Sequence, residues 1–224
     1  TNIALCKYWG KRDAELNLPV TSSLSIALPD KGALTNLMVQ AEAHDTVILN
    51  KEVLAADSPF VQRLSAFLDL FRQKNPWHLK IDITMNIPVA AGLASSACGF
   101  ASIVAGLNDL FDWQLSKRHL SILARLGSGS AARSFWLGFS EWYAGVQADG
   151  MDSFAEPLSA EWPDLCIGIM TLSMKPKPIS SRLAMQQTVN TSVLYQSWPK
   201  KVAQDMVILR QAIQSKNFAL LGGT

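Results

Sequence analysis

Pro88-Val89-Ala90-Ala91-Gly92-Leu93-Ala94-Ser95-Ser96-Ala97-Cys98-Gly99 is the stretch on which the reading of this chain turns. Before it, Ile81, Ile83, Met85 and Ile87 alternate with Asp82, Thr84 and Asn86, the period of a half-buried strand. After it, Phe100, Ile103, Val104, Leu107 and Phe111 recur at helical spacing. Small residues and two adjacent hydroxyls at a strand-to-helix turn let the backbone approach an anion closely. The free amides and dipole of the helix start favour negative charge there. The stretch therefore reads as a phosphate loop, though not a Walker loop, since Gly-x-x-x-x-Gly-Lys-Ser/Thr occurs nowhere in the chain. The plainer alternative is a turn in which Ser95 or Ser96 merely caps the helix.

A second stretch of the same character follows some thirty residues on: Gly127-Ser128-Gly129-Ser130-Ala131-Ala132-Arg133-Ser134. It again offers amides and hydroxyls at a helix start, now with an arginine about one turn in. Gly-Ser pairs are common in flexible linkers, but helical and aromatic patterns flank this one, which argues against a linker. A third dense segment lies near the start, where Lys7-Tyr8-Trp9-Gly10-Lys11-Arg12-Asp13 mixes cations, aromatics and a glycine. By itself it reads equally as a solvated turn with a snorkelling lysine.

The totals bound the possibilities. With 224 residues and 49% hydrophobic content, the chain can bury one large core or two smaller ones. A net charge of +2 gives no reason to expect nucleic acid as a partner. The longest apolar runs, such as Leu165 to Leu172, fall far short of the roughly 20 residues of a membrane span. No secretory leader opens the chain, so a cytoplasmic protein without a membrane partner is expected. Cys6, Cys98 and Cys166 lack disulfide or metal-ligand spacing and are expected to be buried small hydrophobes. His44, His78 and His119 stand apart from one another, which points to surface or strand-end roles and to no protein-held metal.

In chain order, Ile3 to Cys6 reads as a strand, and Thr21 to Leu28 as a strand with one hydroxyl-rich face. Pro29 to Gly32 is a turn, and strands are expected over 34–43 and 46–49. Ser58 and Pro59 open a helix whose apolar face, Phe60, Val61, Leu64, Phe67, Leu68 and Phe71, reads as purely structural. Another helix is expected from about Ser116 to Leu126, then a strand over Phe139 to Tyr143 and a buried strand over Leu165 to Leu172. Lys175-Pro176-Lys177-Pro178 is a basic, proline-stiffened loop ahead of a helix near 182–187. A last helix carries Val202, Met206, Leu209 and Ile213 on one face. The polar, turn-rich span from Ala148 to Pro163 sets a domain boundary near Leu158, dividing the chain into 1–158 and 159–224. The second part has too few elements to cover a sheet, so residues are expected to be missing at both ends.

Three blocks carry a specific resemblance. They are Asn2-Ile3-Ala4 through Lys7 to Asp13, with Leu16 to Pro19 and Thr21 to Ser25; Pro88 to Ala97; and Gly127 to Ser134. On them the chain resembles the diphosphomevalonate decarboxylase family, within the superfamily of galactokinase, homoserine kinase, mevalonate kinase and phosphomevalonate kinase. The first and third blocks are particular to the decarboxylases. The second is shared with the kinases, which usually have glycine where Ala94 stands. Weaker similarity continues through Trp162 to Leu165, Ser180-Ser181 and Thr188 to Ser192, so the likeness covers essentially the whole chain.

The resemblance implies an α+β, two-domain small-molecule-kinase fold with the active site in the interdomain cleft. Residues 1–158 would be the ATP- and substrate-binding domain and 159–224 the start of an incomplete C-terminal one. It implies ATP-dependent decarboxylation of mevalonate 5-diphosphate to isopentenyl diphosphate, in the mevalonate route of isoprenoid biosynthesis. The cofactors would be ATP with Mg2+ as the nucleotide complex, and the protein a homodimer. By the same resemblance, Lys7 and Arg133 are catalytic, with Lys7 near the reacting hydroxyl and Arg133 on the carboxylate. Tyr8, Lys11, Ser128, Ser130, Ser180 and Ser181 join Arg133 in binding substrate. Ala91, Gly92, Leu93, Ala94, Ser95 and Ser96 hold the ATP phosphates. Arginine suits a carboxylate because its planar fork can engage both oxygens. Ala132 and Leu137 stand where the family's members often have a polar or sulfur residue and a glycine, and the family's catalytic aspartate is expected beyond Thr224. Two neighbouring activities stay open: a mevalonate-type kinase that does not decarboxylate, and a decarboxylase of mevalonate 5-phosphate.

Overall fold

The computed structural model describes residues 1–72, 77–87, 95–170 and 178–224. Residues 88–94, with the phosphate-loop positions Ala91, Gly92, Leu93 and Ala94, lie outside the described residues, as does most of the basic loop before Pro178.

The chain begins with β1 (Asn2–Cys6), a short hairpin of β2 (Lys11–Asp13) and β3 (Leu18–Pro19), and β4 (Ser23–Ala27). Next come β5 (Ala33–Gln40), β6 (Thr46–Leu49) and β7 (Glu52–Val53). Helix α1 (Pro59–Asp69), β8 (His78–Met85), α2 (Ser95–Leu110) and α3 (Lys117–Gly127) follow. A 3-10 helix over Gly129–Arg133 leads to β9 (Phe139–Trp142) and β10 (Ala155–Pro157). The chain continues with α4 (Ser181–Thr191), a 3-10 helix over Val193–Ser197, α5 (Trp198–Gln214) and α6 (Phe218–Gly222). The described strands form two four-stranded sheets, ordered β1-β4-β9-β10 and β5-β8-β6-β7, beside the β2-β3 hairpin.

Local chemistry accounts for most of these elements. In β8, Leu79, Ile81, Ile83 and Met85 point into the core while the intervening residues face outward, the alternation a one-sided sheet requires. Ser58 caps α1 by accepting from the Val61 amide, and Pro59 occupies the first turn, where its missing amide costs nothing. Helices α1 and α2 cover the second sheet with Leu64, Phe67, Phe100, Ile103 and Leu107 against the buried residues of β8. Helix α5 lies on the first sheet, where Val202, Met206, Leu209 and Ile213 pack against Cys6, Leu24 and Phe139. The same helix sends Arg210 to the buried Glu141 of β9, with two hydrogen bonds of 2.7 and 2.8 Å.

Three readings are corrected. The run from Leu165 forms no strand through Met170, and Ile169 and Met170 are 45% and 83% exposed. A strand of that composition needs neighbours on both edges and cover on both faces, and the described residues supply none there. Cys166, in the same run, is exposed, whereas Cys6 and Cys98 are buried as expected. Finally, β10 emerges inside the polar span before Leu158, because three residues paired with β9 need no apolar alternation of their own.

The packing between α2 and α3 supplies a stability test. Gly127 lies so close to Phe100 that a Cβ would fall 2.0 Å from the ring. That ring cannot retreat, since it is fully buried and edge-on to Phe67 at 5.3 Å. Gly127→Ala should therefore destabilise the protein by about 2 kcal/mol in urea unfolding. Gly168→Ala, with nothing within 4 Å of the added methyl, should stay within about 0.5 kcal/mol of wild type.

Candidate active site

The 3-10 helix after α3 carries Arg133 inward. Ala131 and Ala132 are fully buried, which pins the turn under β1, β4 and β9 and leaves the guanidinium nowhere to go but the interior. Arg133 is 2% exposed. Its Nη1 donates to Ser23 Oγ and its Nε to Asn2 Oδ1 at 3.4 Å, and the guanidinium sits 5.8 Å from the centre of the Trp142 ring. Burial pulls its pKa down to about 10, opposed by Tyr8 and Cys6. Among the described residues, no carboxylate lies within ion-pair distance of it.

Arg125 makes the contrast. It is equally buried, at 1% exposure, but gives Nη1 to the carbonyl oxygens of Gly150 and Ser153 at 2.7 Å each, and Asp152, Asp13 and Asp149 act on it electrostatically. Its burial serves the 144–153 loop. No carboxylate stands among the causes of the shift at Arg133. A buried cation without a counterion is costly unless an anion arrives to meet it.

Beside Arg133, Tyr8 packs edge-on to Trp142 with ring centres 4.8 Å apart. Its hydroxyl oxygen is buried and makes no hydrogen bond among the described residues. Burial raises the pKa of the phenol, against the pull of Arg182 and Arg133, so at neutral pH it is a proton donor awaiting an acceptor. Lys11 follows at the start of β2, its Nζ 2.5 Å from Asn17 Oδ1. Burial, then Arg182 and Arg63, lower its pKa to about 8.

Arg63 and Arg182 are the residues that reading the sequence missed. Helix α1, read as purely structural, turns Arg63 toward the cluster with its guanidinium 5.0 Å from the Phe100 ring. Its Nε is buried and has no hydrogen-bond partner among the described residues, and burial followed by Arg182 lowers its pKa. Arg182 stands in the first turn of α4, directly after Ser180 and Ser181. The signal for it was the Ser-Ser-Arg run itself. For Arg63 it was a lone cation one residue before Leu64, on a helix otherwise apolar on that side. Lys11, Arg63 and Arg182 thus act on one another electrostatically, and no carboxylate stands among the causes of the shifts at Lys11 and Arg63.

The hydroxyl residues divide. Ser96, in the first turn of α2, and Ser128, between α3 and the 3-10 helix, bring their Oγ atoms to 3.4 Å. Ser96 of the first Ser-rich block and Ser128 of the second are therefore adjacent. Ser95 is half-buried at the first position of α2. Ser130 is half-buried, and its carbonyl accepts from Asn2 Nδ2 at 3.4 Å. Ser180 caps α4 by accepting from the Leu183 amide at 3.2 Å, and Ser180 and Ser181 are both exposed. Lys7 is exposed just after β1. Two clefts of about 700 Å³ each flank β5 and α2 and contain none of these cations. Charge marks the candidate site. Among the described residues, no three His, Cys, Asp or Glu side chains gather into a metal-binding group. No helix of the described residues is long and apolar enough to cross a membrane.

Comparison with known proteins identifies the family. Residues 1–155 match the family described as Diphosphomevalonate decarboxylase-like N-terminal domain. Residues 167–224 match the Mevalonate 5-diphosphate decarboxylase C-terminal domain. The diphosphomevalonate decarboxylase of Aspergillus fumigatus is 39% identical over 97% of this chain, which spans 59% of that protein's length. The crystal structure of mevalonate diphosphate decarboxylase from Staphylococcus aureus superimposes with a TM-score of 0.86 at 35% identity, covering all of this chain and 68% of that one. A structure of MDDEF in complex with MVAPP, AMPPCP and magnesium superimposes with a TM-score of 0.84 at 35% identity, again covering all of this chain and 68% of that one.

The depressed pKa of Lys11 predicts proton uptake on anion binding. An anion beside the amine favours its charged form, so near pH 8 and above, binding must draw a proton onto Lys11. Calorimetric titration of pyrophosphate at about pH 8.5, in buffers of different ionisation enthalpy, should show uptake that vanishes in Lys11→Met and fades below about pH 7. Affinity should weaken as pH rises above 8. A buffer-independent enthalpy at the higher pH would contradict the assignment.

Proposed function

Since this chain belongs to the diphosphomevalonate decarboxylase family, we propose that the protein carrying it converts mevalonate 5-diphosphate and ATP to isopentenyl diphosphate, ADP, phosphate and carbon dioxide. The observation that carries the proposal is Arg133: a guanidinium buried beside Ser23, Asn2 and Trp142, with no carboxylate of the described residues to neutralise it. The substrate's own carboxylate is the missing partner. A planar guanidinium can hold both of its oxygens, and the hydrogen bonds to Asn2 and Ser23 keep that plane fixed.

Around it, Tyr8, Lys11, Arg63 and Arg182 favour the more highly charged diphosphate over a monophosphate. ATP would extend its phosphates to the start of α2, where Ser95 and Ser96 stand beside Ser128. Mg2+ would travel with the nucleotide, held by phosphate rather than by a protein cage. Lys7, exposed at the end of β1, is then the cation facing the 3-hydroxyl, with Ser130, Ser180 and Ser181 completing the substrate contacts. Bound by these groups, the substrate would react in two stages. The 3-hydroxyl oxygen loses its proton to a base and takes the γ-phosphoryl group as the Pγ–O bond to ADP breaks, and the C3–O bond then breaks with its electron pair leaving on phosphate. The electrons of the C1–C2 bond close the C2–C3 double bond as C1 departs as carbon dioxide. Electron demand at C3 in that step makes a misplaced cation inhibitory, so fixed positions matter more than total charge.

The reading also includes a division into domains of residues 1–158 and 159–224, a cytoplasmic location and a homodimer. Its support for these three is the family likeness.

The test supplies both substrates and follows ADP, carbon dioxide and any 3-phosphorylated product. Carbon dioxide should appear in step with ADP, and faster from the diphosphate than from mevalonate 5-phosphate. Accumulation of a stable 3-phosphorylated compound would make the protein a kinase instead. Arg133→Gln should lower kcat/KM by roughly 100- to 1000-fold while leaving ATP affinity within about twofold. Equal loss of both would contradict the role assigned to Arg133.

A further inference from the structure

The second 3-10 helix, over Val193–Ser197, is the span through which α4 connects to α5. From it, the half-buried Tyr195 donates its hydroxyl to the Trp9 carbonyl oxygen at 2.9 Å, joining residues 186 positions apart. The neighbouring Gly10 has φ of 106°, and a Cβ there would fall 1.7 Å from the Tyr195 hydroxyl. The tyrosine therefore fills the space that any other residue at position 10 would claim, and the backbone adopts a conformation that glycine tolerates. On its other side the same turn is tied down by the Gly10 carbonyl, which accepts from the Val20 amide at 3.1 Å.

What this turn carries gives the contact its meaning. Tyr8 precedes it and Lys11 follows it, and Tyr195 acts electrostatically on the Tyr8 phenol. The helix that leads into Tyr195 begins with Ser181 and Arg182. Lys11, with Tyr8, thus hangs from the Trp9–Gly10 turn and Arg182 from α4, and the Tyr195 hydroxyl joins the turn to the segment that follows α4.

We infer that Tyr195 is a positioning residue for anion binding, locking the Tyr8–Lys11 turn against the segment that carries Arg182 so that both face one ligand. The inference rests on reading the cluster as a diphosphate site. Without the hydroxyl, the Trp9 carbonyl loses its partner. Tyr8 and Lys11 then gain freedom that an incoming diphosphate must remove at the expense of affinity. A tyrosine that served only the fold would not weaken one ligand selectively, nor would its effect depend on Lys11.

The experiment is a double-mutant cycle read by calorimetry, with inorganic pyrophosphate and, separately, ATP titrated into wild type, Tyr195→Phe, Lys11→Met and the double variant. Tyr195→Phe should weaken pyrophosphate roughly three- to tenfold, the worth of one neutral hydrogen bond, and leave ATP within about twofold. In the Lys11→Met background the same change should lose most of its effect, because the two residues act through one turn. Gly10→Ala, which drives the tyrosine aside, should reproduce the selective loss. Additive losses across the cycle, an equal loss of ATP affinity, or no pyrophosphate binding to wild type would each overturn the inference. Wild type that binds pyrophosphate but not mevalonate 5-diphosphate would instead contradict the proposed reaction, and the cycle with pyrophosphate would still decide the role of Tyr195.

Discussion

Cations drawn partly or wholly out of water, with no carboxylate of the described residues paired to them, set the terms for the rest of this chain. Elsewhere the fold follows the ordinary rule: Arg72 is met by Asp45 at 2.6 Å and Arg210 by Glu141 at 2.7 Å. At Arg133, Lys11 and Arg63 the rule lapses, and the depressed pKa of each records the free energy of holding positive charge there. A protein tolerates such a cost where function needs it and offsets it through packing elsewhere. An anionic ligand that replaces water between the cations turns mutual repulsion into binding.

That offset is visible in how firmly each cation is mounted. Arg133 is held by the fully buried turn at Ala131 and Ala132 and by the wall of Trp142. Arg63 lies on the rings of Phe60 and Phe100, which lets a guanidinium stay partly dry with no ion-pair partner among the described residues. Lys11 leans on Asn17, whose amide nitrogen donates in turn to the Leu126 carbonyl at 2.6 Å. The α5 helix clamps the later part of the chain to the first sheet through an apolar face and the Arg210–Glu141 pair. Aligned cations on rigid supports lose little entropy when a ligand binds, so the strain is placed where it contributes to recognition.

Much of this could be read before any coordinates, and the limits were physical. The apolar periods of β8, α2 and α5 named the residues that are in fact buried, because a single covered face imposes its period on the sequence. Ser58 was legible as a cap for the same local reason. Arg133, Tyr8 and Lys11 stood out because they sit in unusual runs of small, aromatic and basic residues. Arg63 did not, since one arginine on an amphipathic helix looks solvated until tertiary packing turns it inward. Arg182 is exposed, and only its electrostatic effect on Lys11 and Arg63 sets it apart from any solvated arginine behind two serines. The run from Leu165 failed in the opposite direction: apolar composition is the same whether or not neighbouring strands exist to cover it. The residues that escaped were those whose state depends on distant parts of the chain.

The most direct measurement is a crystal structure of the protein with mevalonate 5-diphosphate bound. The account predicts the carboxylate on the Arg133 guanidinium. It also predicts diphosphate oxygens within about 3.2 Å of the Tyr8 hydroxyl, Lys11 Nζ and the Arg182 guanidinium. A substrate bound elsewhere, with Arg133 still engaged only by Asn2 and Ser23 and the Tyr8 hydroxyl still without a partner, would contradict it.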